Sequence, residues 1–187
     1  MVEVLELTAC VRRARDKWRY RGDERPAFAE ASAPGEESVW DFPRPPRQEP
    51  VAGALRVAYG MHVLAATRRG VRLLETAGAP TYYFPPEDVE STMLVDLSDQ
   101  SLCEWKGLAT VFCLGDQPGD LRPVGWRYDV TFPEFASIQG WFAFYPGVLA
   151  CFIGEEQVQP QPGGYYGGWV TERLKGPIKG EPGSEAW

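Results

Sequence analysis

The chain has 187 residues, a net charge of −7 and a pI near 4.9, which argues against a nucleic-acid partner, because binding a phosphate backbone needs a basic face. With 20 glycines, 17 prolines and 13% aromatic residues, the composition excludes a helical bundle and fits many short strands joined by tight turns. The length fits one domain with an appendage, and such a core buries roughly two thirds of its unfolded surface without staples.

Residues 1–21 are the first element. Val4, Leu7, Val11, Ala14 and Trp18 recur at steps of three and four, which predicts an amphipathic helix. Glu3 and Glu6 come early and Arg12, Arg13, Arg15, Lys17 and Arg19 late, the order that suits the helix dipole. Gly22 is the expected stop. The apolar stripe packs on its own domain, with a partner protein or second subunit as the alternative.

Residues 22–50 are expected to be a linker and a Pro-rich extended arm. Pro26, Pro34 and Gly35 punctuate a small, polar stretch. Val39-Trp40-Asp41-Phe42-Pro43-Arg44-Pro45-Pro46-Arg47 then favours a polyproline conformation. Trp40 and Phe42 pin the arm to the domain, since leaving them in water is costly. The competing reading docks the arm on an aromatic groove of another protein.

A single β-rich domain is expected over residues 51–187. Leu55–Tyr59 and His62–Thr67 predict a hairpin across Gly60-Met61. Val71–Leu74, Thr81–Phe84, Met93–Leu97 and Thr110–Leu114 predict further strands, and Pro85-Pro86 ends the second of these. Gly115–Gly125 is a polar turn. Pro133 suits the first position of a helical turn over Phe132–Ile138. Trp141–Tyr145 and Val148–Ile153 predict a last hairpin across Pro146-Gly147. From Gln157 an ordered loop and a loose end follow, with Gly163-Gly164 and Gly167-Gly168 letting Tyr165, Tyr166 and Trp169 fold back onto the sheet.

The cysteines at 10, 103, 113 and 151 form no CxxC pair, and with one histidine a Cys/His zinc site is not expected. No metal or cofactor is expected. No apolar run approaches the ~20 residues of a membrane span, and the amino terminus lacks the order of a signal peptide. The expected setting is a reducing cytoplasm, with no membrane partner and a monomer or homodimer.

Cys103 is the cysteine in a polar, turn-like setting, whereas Cys113 and Cys151 lie in apolar strands and read as core. Lys106, three residues on, is placed to lower the Cys103 thiol pKa, with Glu104 to orient the lysine or act as a base. Glu75 ends an apolar strand and needs a cation, Arg72 or Lys106. Cys103, Lys106 and Glu75 are the candidate catalytic residues. Tyr82, Tyr83, Trp105, Trp126 and Tyr145 are the candidate ligand-binding walls, since aromatic faces with polar tips suit a pocket. Each has a plain structural reading: a half-buried thiol, a surface lysine, a structural ion pair and strand aromatics divided between core and surface. His62 has no partners for a nucleophile triad. Asp88, Asp96 and Asp99 lack a metal-loop spacing and read as solvated acids.

From Trp40 onward the chain resembles the domain-of-unknown-function family 427. The segments that carry the likeness are VWDFPRPPR at 39–47, VRLLET at 71–76, TYYFPPEDV at 81–89, SLCEWKG at 101–107, FPEFASIQGWFAFYP at 132–146 and QPGGYYGGWVTERLKGPIKGEPG at 161–183. The resemblance implies a compact β-tent body of two sheets leaning together, and it adds weight to Glu75, Tyr82, Tyr83, Cys103, Lys106 and Tyr145 as site positions. It brings no established reaction. Reductase chemistry is not expected, because no second polar cysteine stands ready to resolve an oxidised Cys103. The fold expected is therefore mainly β, a two-sheet body with an N-terminal helix and a Pro-rich arm. The function expected is binding of a small polar or aromatic molecule near Cys103 and Lys106, with acid–base or thiol chemistry as an extension. A non-catalytic interaction module using the helix and the arm is the alternative.

Overall fold

A computed structural model describes residues 4–115, 119 and 121–187. Glu3, and Asp116, Gln117, Pro118 and Asp120 of the expected polar turn, lie outside the described residues. In chain order the elements are α1 (Ala9–Asp16), β1 (Glu37–Ser38), β2 (Arg47–Pro50), β3 (Leu55–Tyr59), β4 (His62–Thr67), β5 (Val71–Leu74), β6 (Thr81–Tyr83), β7 (Leu94–Cys103), β8 (Gly107–Leu114), β9 (Gly125–Thr131), β10 (Phe142–Phe144), β11 (Ala150–Ile153), β12 (Glu156–Gln157), β13 (Gln159–Pro160), β14 (Trp169–Val170) and β15 (Leu174–Lys175). The fold is mainly β. Among the described residues no helix is long and apolar enough to cross a membrane.

Two sheets make the body. Antiparallel β2–β5–β6 and antiparallel β10–β9–β8–β7 join through Phe84 and Phe142, whose N–H groups donate to each other's carbonyls at 2.8 and 3.0 Å. The second sheet runs β12–β11–β3–β4. Between the sheets lies a core containing Leu55, Val57, Leu64, Phe84, Phe112, Phe144 and Trp169. Period-two alternation sends neighbouring side chains to the other face of the first sheet, where Leu73, Tyr83, Ala109, Trp126, Tyr128 and Ala143 gather. That second face carries the site.

The segment expected as a helix over residues 1–21 is mostly something else. Val4 bridges to Thr131, and the Leu5 N–H donates to the Thr131 carbonyl at 2.8 Å, so the chain enters extended along β9. Among the described residues of this segment only Ala9–Asp16 is α-helical, with the Thr8 hydroxyl accepting from the Val11 N–H at 3.3 Å. An available strand end satisfies main-chain groups that a marginal isolated helix would leave to water. The arm is not extended throughout: Val39–Asp41 is a 3-10 turn, and Val39, Trp40 and Phe42 are buried with Leu74 and Leu174. The end is not loose either, for the Trp187 ring lies 5.3 Å from both Trp40 and Phe28.

The expected last hairpin does not form. β10 pairs with β9 and β11 pairs with β3, so the chain crosses from one sheet to the other between them. Phe142, Phe144, Leu149 and Cys151 bury in the same inter-sheet core from opposite layers, which a hairpin within one sheet would not allow. β9 went unread in the sequence, although Trp126, Tyr128 and Val130 alternate along it.

The β7–β8 hairpin closes on the Cys103–Gly107 pair with Glu104, Trp105 and Lys106 as its loop. Gly107 has φ of +140°, and a Cβ there would stand 2.2 Å from the Val130 carbonyl oxygen. Gly107→Ala is therefore expected to cost about 3 kcal/mol, read as a fall in urea midpoint at constant slope.

Candidate functional site

Beside the β7–β8 hairpin a cavity of about 900 Å³ opens on the second face of the first sheet. β8 and β9 supply its back wall through Ala109, Val111, Trp126 and Tyr128, and β6 supplies Tyr83. Tyr145 stands against Trp126 with ring centroids 4.8 Å apart. The strap 164–167 covers one side. Its Gly167 has to be glycine, since a Cβ there would meet the Trp126 ring at 2.3 Å.

The polar floor comes from five distant segments. Glu75, one residue past β5, takes the Lys106 ammonium at 2.9 Å on Oε2 and faces Arg44 Nε at 3.4 Å on Oε1. Arg44 donates from Nη1 to the Tyr20 carbonyl at 3.0 Å and from Nη2 to the Thr76 carbonyl at 2.9 Å. Trp18 donates its indole N–H to Glu104 Oε1 at 2.6 Å. Lys179 Nζ sits 3.7 Å from the centre of the Trp18 ring and donates to the Trp187 carbonyl at 3.1 Å. Arg44 covers the same Trp18 ring at 4.3 Å.

Burial sets the electrostatics. It would raise the Glu75 carboxyl, but Lys106 and Arg44 outweigh it and hold the pKa below the ordinary range. Burial would lower Lys106, but the facing thiol, Glu75 and two phenols keep it well above its usual value. The two partners are thus a committed ion pair. The Cys103 thiol is pushed up by burial, which the Lys106 ammonium does not overcome and to which Glu75 and Glu104 add. This corrects the expectation of an activated thiolate: the cation that was to lower the thiol is spent on Glu75. Burial likewise raises Tyr83 and Tyr128, which stay neutral hydroxyl donors. Burial and the nearby Arg44 push Lys179 down to about 8.

Of the residues expected from sequence, Glu75, Cys103, Lys106, Tyr83, Trp126 and Tyr145 line the one cavity. Tyr82 and Trp105 do not. Tyr82 neighbours Tyr83 on one strand, so alternation turns it to the inter-sheet core, stacked on Trp169 at 4.8 Å. Trp105 is buried behind the hairpin loop with the Arg15 guanidinium 5.0 Å from its ring. Arg72, the other partner considered for Glu75, pairs instead with Glu37 and Glu49. Sequence reasoning missed Trp18, Arg44, Tyr128 and Lys179. The alternation along 126–130 was a signal for Tyr128; the other three come from segments with no local pattern pointing to a site. Among the described residues, no three His, Cys, Asp or Glu side chains gather as metal ligands.

Among the described residues, three buried polar atoms on cavity-lining residues lack a well-formed hydrogen bond: Tyr83 Oη, beside Thr81 and Trp126, Thr81 Oγ1, and Arg44 Nε, 3.4 Å from Glu75 Oε1. Such atoms are places where something else can bond.

A family model described as Domain of unknown function (DUF427) matches residues 47–155, more than half of the chain. It spans Glu75, Tyr83, Cys103, Lys106 and Trp126, while Trp18, Arg44 and Lys179 lie outside it. No curated protein matches the chain.

Removing one partner of the buried pair exposes the other's desolvation. Glu75→Gln is expected to cost about 3 kcal/mol, and Glu75→Gln with Lys106→Met less than the sum of the single changes, measured by a double-mutant cycle in denaturant. Because the Glu75 pKa is lowered in the folded chain, its contribution is present above the unfolded carboxyl value, about 4.3, and fades as pH falls through the folded value. The acid limb of a stability–pH curve should therefore be flatter in Glu75→Gln.

Proposed function

From the premise that the chain belongs to the DUF427 family, whose description assigns no reaction, we propose that the protein binds a small aromatic molecule in the cavity beside the β7–β8 hairpin. One observation carries the reading: a cavity of about 900 Å³ walled by aromatic rings is bordered by residues whose buried polar atoms, Tyr83 Oη foremost, lack a well-formed hydrogen bond. That volume lies within the range of small-molecule sites, and the mix of apolar walls with a few convergent polar groups is their usual lining. Trp126, Tyr145 and Tyr128 offer ring faces for stacking. Tyr83 and Thr81 offer hydroxyls to orient the guest.

The chemistry favours binding over thiol catalysis. A thiol whose pKa is pushed up is a poor nucleophile at neutral pH, and Lys106 is held protonated by Glu75. The interaction-module reading has less support, because Trp40 and Phe42 are buried in the chain's own core.

The test is a thermal melt with 2-naphthol as probe, beside a blocked variant. Val111 lines the cavity from β8, so Val111→Trp fills it. A rise in midpoint for the natural chain and none for Val111→Trp is the expected result; equal shifts in both, or none in either, would count against the site. Tyr83→Phe gives a second check. In the protein alone it is expected to be neutral or stabilising by about 1 kcal/mol, because an unsatisfied buried hydroxyl is removed. It should also weaken 2-naphthol binding, measured by calorimetry.

A further inference from the structure

The floor of the cavity holds more positive than negative charge. Arg44, Lys106 and Lys179 converge there against Glu75 and Glu104. Glu75 is occupied by Lys106 and by the flank of Arg44, and Glu104 accepts from the neutral Trp18 indole. Lys179, 5% exposed, has a main-chain carbonyl and two aromatic rings around its ammonium, Trp18 at 3.7 Å and Tyr166 at 5.4 Å. Arg44, with its side chain 1% exposed, leaves Nε without a hydrogen bond. Two buried cations thus face one hollow: Arg44 shares the single Glu75 carboxylate with Lys106, and Lys179 has no carboxylate side chain among the described residues within ion-pair distance.

Resting on the binding reading above, we propose that the guest is an aromatic acid whose carboxylate or phosphate head lies between Arg44 and Lys179 while its ring lies against Trp126 and Tyr145. Three features separate this from other guests. An aromatic box can also hold an organic cation, but here the Trp18 face already carries the protein's own ammonium and guanidinium, so a second cation meets like charge. A neutral guest would leave the surplus positive charge uncompensated. An anion supplies acceptors to Lys179 and to Arg44, whose Nε holds Glu75 at 3.4 Å without a well-formed hydrogen bond, and the neutral Tyr83 hydroxyl is a further donor to it. The lowered Lys179 pKa fits the same picture, since it reports burial beside Arg44 with too little carboxylate nearby.

The experiment compares four probes of one ring system by calorimetry at fixed salt and neutral pH: 2-naphthoate, 2-naphthyl phosphate, 2-naphthamide and 2-naphthylmethylammonium. The carboxylate or the phosphate should bind roughly tenfold tighter than the amide, the margin of charge-assisted over neutral hydrogen bonds. The tighter of the two acids names the head group. Lys179→Met should bring the acid down to the amide's affinity and leave the amide unchanged. An amide equal to the acids, or an ammonium tightest of all, overturns the inference and leaves the aromatic-binding reading standing. If none of the four binds, the binding reading fails and this inference with it. The acid-to-amide ratio is read on the natural chain, so the test holds even where Lys179→Met fails to fold.

Discussion

The ion pair between Glu75 and Lys106, flanked by Arg44, is the constraint on which the site depends. It joins the end of β5, the β7–β8 hairpin loop and the arm before β2. A carboxylate buried there without cations would protonate, and cations without the carboxylate would repel. Holding them together fixes where the hairpin loop sits against β5. The cavity is the space left between that floor and the aromatic face of the sheet. The thiol of Cys103 lies beside the pair, and its raised pKa follows from the pair's own completeness.

Strand alternation does the sorting above that floor. β6, β8 and β10 each send one set of side chains into the inter-sheet core and the next set to the face that carries the cavity, whereas β9 gives that face Trp126 and Tyr128 and turns Arg127 and Asp129 the other way. Phe84, Phe112 and Phe144 build the body, while Tyr83, Trp126 and Tyr128 wall the hollow. A one-residue slip in β6 would exchange Tyr82 for Tyr83 and bury the wrong tyrosine. Glycine handles the places where the backbone comes too close for a side chain, at Gly107 behind the hairpin and at Gly167 under the strap.

Local pattern made β3, β4 and β5 legible, because each is a short β-branched or aliphatic run between glycines or turn residues. It made the cluster of Glu75, Cys103 and Lys106 legible too, since unusual polar residues at strand ends stand out. What local pattern could not give was pairing. β10 and β11 read as a hairpin until the burial of Phe142, Phe144 and Cys151 in a shared inter-sheet core is known. Nor could it give the helix end at Asp16: the apolar spacing over 4–18 is genuine, but Val4 and Leu5 find strand partners on β9 and Trp18 finds Glu104. Arg44 and Lys179 were hidden for the same reason. One sits in a proline-rich arm and the other in a glycine-rich tail, and only the tertiary fold brings both onto one indole ring.

The account is tested most directly by fluorine NMR of protein carrying 5-fluorotryptophan, titrated with a set of aromatic acid fragments. Trp18 and Trp126 line the cavity, while Trp40 and Trp169 lie in separate cores. The account predicts that binding fragments shift the Trp18 and Trp126 resonances together and leave Trp40 and Trp169 unmoved. Shifts spread evenly over all the tryptophans, or resonances at 18 and 126 that no fragment moves, would contradict it.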